Sequence, residues 1–425
     1  MNILKTINTV VALIFMICYF YQFVYIAIVI FFKNKKTYPK GTPHKFACLI
    51  SARNESLVIG DLIDSIKNQT YPSELITTFV IADNCTDNTA EIARDHGAVV
   101  YERQNKELVG KGYALDSLIK SITKDYGDEF DGYFVFDADN VLDKNFIDEM
   151  NNTFSDGHEI VTSYRNSKNY GDNWISAGYA LWYLRESRYL SHARSIVNSS
   201  CAVSGTGFLF SRRIKNKIGG WPFHLLTEDI EFSVAQILDG EKIGFAPKAE
   251  LYDEQPVSFK QSWRQRLRWS KGYYQVFGKY GWGLFKGMLK GNFSCYDMSM
   301  SIMPAAILSI ITIICNIIIG TIIIATHGPA DELIKLVINL LRGVYETLFI
   351  IGMITTITEW KKINLDPFRK ILYAFTFPIF MFTYIPISVV AIFKKVTWKP
   401  IQHHGSKSNL QLAKSTDSEA ENIKK

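Results

Sequence analysis

Asp137 and Asp139 stand two positions apart where an apolar run, residues 133–137, gives way to polar chain. Two carboxylates that close repel each other unless a cation lies beside them, and a hard divalent ion completed by phosphate oxygens is the natural partner. Two earlier apolar runs end in Ala52-Arg53-Asn54-Glu55 and in Asp83-Asn84-Cys85-Thr86-Asp87. Turn and helix-cap roles would also satisfy Asp83 and Asp87, and for Asp87 they weigh evenly against a functional one. Lys111, in Gly110-Lys111-Gly112, precedes a helical pattern. It can bring an ammonium and helix N-terminal amides to a diphosphate, or stand as a solvated loop charge. Glu228 and Asp229 open a further helical run, 230–238. A carboxylate so placed can act as a general base, with Asp229 the first choice and Glu228 its competitor; the helix dipole alone also favours acids at that end. Gln265, Arg268 and Trp269 have i, i+3, i+4 spacing and share one helix face. Arginine holds phosphate oxygens and tryptophan offers an apolar face to a sugar ring. The same stretch reads as a helix lying on a membrane, with Trp263, Arg264 and Arg266 snorkelling.

The elements that must position these residues follow from periodicity. Runs 46–51, 77–82, 98–101 and 133–137 read as buried strands, and 57–67, 89–96 and 112–122 as helices between them. That alternation predicts an α/β domain built on a mostly parallel sheet, with ligands at the carboxyl ends of the strands. Ser204-Gly205-Thr206-Gly207-Phe208 reads as a flexible turn ahead of another strand, and Gly219-Gly220-Trp221-Pro222 as a turn that can present Trp221. For Trp174 and Trp182 structural packing is the default.

The chain has 425 residues, of which 48% are hydrophobic, concentrated at 10–32, 302–325, 333–358 and 372–393. Each run approaches the roughly 20 residues that cross a bilayer core. The first is longer than a signal-peptide core and no small-residue cleavage site follows, so it is expected to stay as an anchor. Lys33, Lys35 and Lys36 then place the polar domain in the cytoplasm by the positive-inside rule. The expected layout is an anchor at 1–35, a cytoplasmic domain at 36–275, an interfacial helix at 276–300, membrane spans at 301–395 and a cytoplasmic tail at 396–425. Basic residues near the spans account for the net charge of +6, so no nucleic-acid partner is expected. The six cysteines lack paired metal-site spacing and are read as reduced thiols. Arg342 and Glu346, i, i+4 on one span, are expected to pair; so few intramembrane charges give ion transport little support.

Phe136-Asp137-Ala138-Asp139 resembles the DxD motif of the GT-A fold. Thr227-Glu228-Asp229 and Gln265-Arg266-Leu267-Arg268-Trp269 resemble the TED and QxxRW motifs of the processive family 2 glycosyltransferases, the family of cellulose, chitin, hyaluronan and poly-N-acetylglucosamine synthases. The likeness covers residues 46–272. It implies a GT-A domain inserted between transmembrane helices of the plasma membrane, using Mg2+ or Mn2+ and a UDP-sugar to extend a polysaccharide, or to modify a lipid acceptor. It further implies that Asp83 meets the base, Asp137 the ribose and diphosphate and Asp139 the metal, that Gly205 and Thr206 line the acceptor, and that transfer inverts. UDP-glucose, giving a β-glucan, is the first expectation and UDP-N-acetylglucosamine the rival. Phe393-Lys394-Lys395-Val396-Thr397-Trp398-Lys399-Pro400 is similar to the family's FxVTxK gating loop with one residue added. A cytoplasmic gating loop conflicts with three spans after the domain, so Pro378 and Pro386 are expected to break the last run into a re-entrant hairpin or to let it lie in the interface.

Overall fold

The computed structural model describes residues 2–32, 38–326 and 330–397. In chain order the elements are α1 (Asn2–Phe31), β1 (Phe46–Ala52), α2 (Ile59–Lys67), β2 (Ile76–Asp83), α3 (Thr89–Asp95), β3 (Val99–Arg103), α4 (Lys111–Tyr126), β4 (Gly132–Asp137) and β5 (Val141–Leu142). Then come α5 (Phe146–Ser155), β6 (Ile160–Ser167), α6 (Trp174–Arg185), a π-helical turn (Glu186–Ser191), α7 (His192–Ile196), β7 (Phe208–Ser211), α8 (Arg212–Ile218), α9 (Glu228–Leu238) and β8 (Ile243–Asp253). The remainder is helical: α10 (Phe259–Leu289), α11 (Phe293–Ile302), α12 (Pro304–Ala325), α13 (Ala330–Thr358), α14 (Pro367–Phe382) and α15 (Tyr384–Phe393). These form two compact units. One holds the described residues of Asn34–Tyr170, Arg194–Pro256 and Thr397–Lys425, the other those of Met1–Lys33, Gly171–Ala193 and Val257–Val396.

The first unit is built on one eight-stranded sheet in the order β3-β2-β1-β4-β7-β6-β8-β5. Nearly every residue of β1 is buried, which is why its sequence is a continuous apolar run: both faces of a central strand are covered. On α2, Ile59, Leu62, Ile63 and Ile66 recur at helical spacing and all are buried, so the stripe faces the sheet. Strands β1 to β4 pair in parallel, as the alternation predicts. The second half departs from it, because β7 inserts antiparallel between β4 and β6, and β5 closes the edge antiparallel to β8. The sheet is therefore mixed.

Among the described residues of the second unit, four helices are long and apolar enough to cross a membrane: Asn2–Phe31, Ile307–Ala325, Ala330–Thr358 and Pro367–Phe393. Polar groups inside such helices need partners. Asn8 and Asn316 exchange amide hydrogen bonds between α1 and α12 at 3.1 and 2.8 Å. Tyr21 and Tyr25 of α1 donate to the buried Asp297 carboxylate at 3.0 and 2.8 Å. Arg342 Nε pairs with Glu346 at 2.7 Å, as expected. The expected hairpin is absent. Pro378 is accommodated inside α14, and at the junction before α15 Thr383 keeps right-handed helical angles, so the two helices continue as one 27-residue apolar span. The physical reason is that one missing N–H at Pro386 interrupts a single helical hydrogen bond without reversing the chain. The interfacial helix expected from 276 is the second half of α10, which runs unbroken from Phe259. The basic cluster 33–36 and residues 398–425, including Trp398, Lys399 and Pro400 of the gating-like motif, lie outside the described residues.

Candidate active site

Strand register sets the site. Ser51 pairs with Asp137 and Ala52 with Ala82, so the chain following β1, β2 and β4 emerges on one sheet edge. Asn54 and Asn84 turn the first two loops with φ of 59° and 54°, a region in which asparagine is among the better tolerated side chains. The Asn54 side chain accepts from the Thr86 amide at 2.8 Å, and the Glu55 amide donates to Thr89 Oγ1 at 2.8 Å. Ala52 is buried, Arg53 and Glu55 are half-buried and Asn54 is exposed. Asp83 is 4% exposed, where it accepts from Asn84 Nδ2 at 3.1 Å and pairs with Arg103. Asp87 caps its turn by accepting from the Thr89 amide at 3.1 Å. Burial opposes its charge, but hydrogen bonds from Thr89 and Ser56 outweigh that and hold its carboxyl below the ordinary value.

The second cluster gathers around Lys111. Its ammonium pairs with Asp137 Oδ1 and donates to the Gly205 carbonyl at 2.7 Å. Burial alone would lower this lysine; Asp137, Glu228 and Asp229 outweigh it and hold it above the ordinary value, so it stays charged. The solvated-loop alternative for Lys111 is thereby excluded. The Asp137 amide donates to Thr206 Oγ1 at 2.9 Å, and the Thr206 hydroxyl bonds Asn140. Thr206 is 3% exposed, which corrects its expected place on the acceptor wall: its hydroxyl is engaged in shaping the Asp137–Asn140 turn. Asp139 accepts from the Glu254 amide and from Asn140 Nδ2, both at 3.3 Å.

Among the described residues no group of three or more His, Cys, Asp and Glu is arranged to hold an ion unaided. The donor set of Asp137 and Asp139 fits an ion completed by substrate phosphates, since Mg2+ is commonly held by one or two carboxylates with the rest from phosphate and water.

A third cluster is the start of α9. Glu228 is buried and Asp229 half-buried. A Cβ built on Gly205 would lie 3.6 Å from Asp229 Oδ2, so this carboxylate faces the loop that Lys111 holds. Ser233 fixes the pairing, donating to the Asp229 carbonyl and accepting from the Val203 amide, each at 2.9 Å. Glu231 accepts from the His224 and Leu225 amides at 3.0 Å, and the His224 ring stacks on Tyr113 at 4.2 Å. Trp221 is corrected here. It is fully buried, packed with Phe208, Phe210, Phe223 and Phe232 at centroid distances of 4.9 to 5.9 Å, so no ring face is left for an acceptor.

The close approach at Gly112 yields a prediction. A Cβ there would lie 2.0 Å from the Phe223 carbonyl oxygen. Alanine gains about 1 kcal/mol in helix propensity over glycine, but overpacking costs about 1–3 kcal/mol and here the obstacle is backbone. Gly112→Ala is expected to lower the melting temperature of the purified protein and to reduce its activity; an unchanged or raised melting temperature would contradict the packing described.

In the other unit, α10 carries Gln265, Arg268 and Trp269. Trp269 packs edge-on to Tyr179 at 5.8 Å, and Trp174 stacks with Phe259 at 6.4 Å. Arg266 is corrected: it does not snorkel but is fully buried, its guanidinium over Phe380, Tyr384 and Tyr179 at 4.4, 4.9 and 5.8 Å. Its Nη1 donates to the Phe380 carbonyl at 3.2 Å and to Thr383, which fixes the end of α14. None of the six cysteines is joined in a disulfide among the described residues.

Sequence reasoning passed over Arg165, Lys168 and Asp253. Arg165 Nε donates to Asp253 Oδ2 at 2.8 Å. Burial, with Asp139 and Asp137 nearby, pushes the Asp253 carboxyl up, and Arg165 pulls it down. Burial lowers the Lys168 ammonium, partly offset by Asp139, Asp61, Glu254 and Asp253. The signal available was the polarity of residues 165–169 at the end of an apolar strand.

An α/β glycosyltransferase carrying membrane helices is the class of protein that this fold and site define. Residues 43–272 match the description "Glycosyltransferase like family 2", and the chain belongs to that family. It is 26% identical over 249 residues to the poly-beta-1,6-N-acetyl-D-glucosamine synthase of Staphylococcus epidermidis, covering 56% of this chain and 57% of that one. It is 23% identical over 245 residues to the beta-monoglucosyldiacylglycerol synthase of Synechocystis sp., covering 56% and 50%. The chain thus spans about half the length of these relatives. The mannosyltransferase PcManGT from Pyrobaculum calidifontis, solved with GDP-Man and Mn2+, is similar at a TM-score of 0.61 and 13% identity, over 92% of this chain and 99% of that one. That likeness is one of fold, and the mixed sheet is GT-A-like.

Proposed function

We propose that the protein transfers a hexose from a UDP-sugar, with inversion at the anomeric carbon, to the growing end of a β-linked polysaccharide at the membrane. The observation that carries this reading is the gathering of Lys111, Asp137, Gly205 and Asp229 in one cluster. Asp229 accepts the proton of the acceptor hydroxyl as that oxygen bonds to the anomeric carbon. The bond from that carbon to the diphosphate breaks, and UDP leaves with the electron pair. Glu228 is the alternative base. Lys111 balances the charge of Asp137 and of the two acids of α9. Asp137 and Asp139 would hold Mg2+ or Mn2+, which when bound neutralises charge on the leaving diphosphate.

In this reading Ala52, Arg53, Asn54, Glu55 and Asp83 serve the nucleoside, Gln265 and Arg268 the diphosphate, and Gly205 and Trp269 the acceptor. The catalytic domain is cytoplasmic, a reading the basic residues after the first span support, and the membrane is the plasma membrane, as the resemblance to polysaccharide synthases implies. UDP-glucose is the first donor to test. UDP-N-acetylglucosamine is the second, favoured by the likeness to the poly-N-acetylglucosamine synthase. A single transfer to a lipid is the third, favoured by the likeness to the glucosyldiacylglycerol synthase.

Purified protein given radiolabelled UDP-glucose or UDP-N-acetylglucosamine with Mg2+ or Mn2+ is expected to make a high-mass product from one of them. A single solvent-extractable glycolipid would defeat the polymer reading. Incorporation from neither donor would defeat the donor class.

A further inference from the structure

We infer that Arg165 is a positioning residue for sugar transfer, setting the place of the loop that carries Gly205 relative to the turn that holds Asp139. The inference rests on glycosyl transfer at the cluster proposed above. Arg165 lies on β6 with its side chain 15% exposed. In one direction its guanidinium binds Asp253, through Nε at 2.8 Å and through Nη2. In the other, Nη1 donates to the Ser204 carbonyl at 2.7 Å.

Each end leads to the site. On the first side, Asp253 Oδ1 accepts from Gln255 Nε2 at 2.6 Å, and the amide of the intervening Glu254 donates to Asp139 at 3.3 Å. On the second, Ser204 precedes Gly205, whose carbonyl takes the Lys111 ammonium that also binds Asp137. The contacts therefore form a closed circuit: Asp139, Glu254, Asp253, Arg165, Ser204, Gly205, Lys111 and Asp137, with both aspartates on one turn.

The loop needs such fixing. Gly205 and Gly207 have φ of +81° and +64°, and glycines that reach this region are also free to leave it. Two cations hold consecutive carbonyls, Arg165 on Ser204 and Lys111 on Gly205. Only a planar fork grips a carboxylate with two N–H groups while a third reaches a carbonyl on the far side; a lysine supplies a point charge.

The test uses the full-length chain in detergent and the donor that the parent protein accepts, with kcat, donor KM and UDP affinity by calorimetry all expressed per folded protein. Arg165→Met is expected to lower kcat about 10–100-fold, the range for a small misplacement of reacting groups, with UDP affinity within about threefold. Arg165→Lys, which keeps the charge, is expected to recover part of that loss. Because Arg165 and Lys111 hold one loop, the Arg165→Met, Lys111→Met double variant is expected to lose less than the product of the single losses. Wild-type kcat in Arg165→Met, UDP binding and transfer lost together in proportion to unfolded protein, or fully multiplicative losses would each overturn the inference. If the methionine variant does not fold, Arg165→Lys decides: lowered kcat with intact UDP binding supports the assignment, unchanged kcat overturns it. Transfer by the parent that Arg165→Met leaves unchanged removes only this inference, whereas no transfer by the parent removes the proposed function with it.

Discussion

Asp229→Asn is expected to lower kcat about 10²–10⁴-fold while UDP affinity stays within about threefold. The amide matches the carboxylate in size, so the turn before α9 and the Ser233 hydrogen bond to the Asp229 backbone should survive. What is lost is the capacity to take a proton. Gly205 passes close to this carboxylate, since a Cβ there would lie 3.6 Å from its Oδ2. Glu228, one residue earlier, is more buried, so Glu228→Gln is expected to cost less than Asp229→Asn. Single-turnover transfer with both variants, alongside calorimetry with UDP, checks the assignment. A larger loss at Glu228 would exchange the two roles, and wild-type rates in both would remove the base from α9 altogether.

Asp139→Ala is expected to abolish the stimulation of UDP binding by Mg2+ or Mn2+, beyond the ~10–100-fold loss of metal affinity that follows removal of an outer partner. Asp139 is fixed by the Glu254 amide and by Asn140, whereas Asp137 is already paired with Lys111. The two aspartates are thus held by different partners, and Asp137 is the one bonded to the Lys111 ammonium. Titrating UDP at several Mn2+ concentrations reads the effect without any turnover. Metal-stimulated binding that persists in Asp139→Ala would take the ion away from this turn.

The local features proved legible for a physical reason. Strand and helix periodicity is a property of neighbouring residues, so β1 to β4 and the helices between them follow from apolar spacing, and the charges that end those strands fall on one edge because parallel strands all point the same way. The spans are legible likewise, since apolar length alone sets whether a helix can cross a bilayer. Errors arose where the partner is distant in the chain. Arg266 occupies a position on α10 that suits a surface charge, yet Phe380 and Thr383, more than a hundred residues later, enclose it. Trp221 follows two glycines and precedes a proline, the composition of an exposed turn, yet the rings of β7 and α9 close over it.

The sequence by itself determined which chemical groups are present, their order, and that an α/β glycosyltransferase sheet is flanked by apolar helices, because each of these depends on composition and short-range spacing. Only the tertiary structure decided which charge meets which. Lys111 and Asp137 are 26 residues apart and Arg165 and Asp253 are 88 apart, and no local pattern records such pairings. They are set by strand register: β6 alongside β8 brings Asp253 to Arg165, and β4 alongside β7 brings the glycine loop onto the paired aspartates.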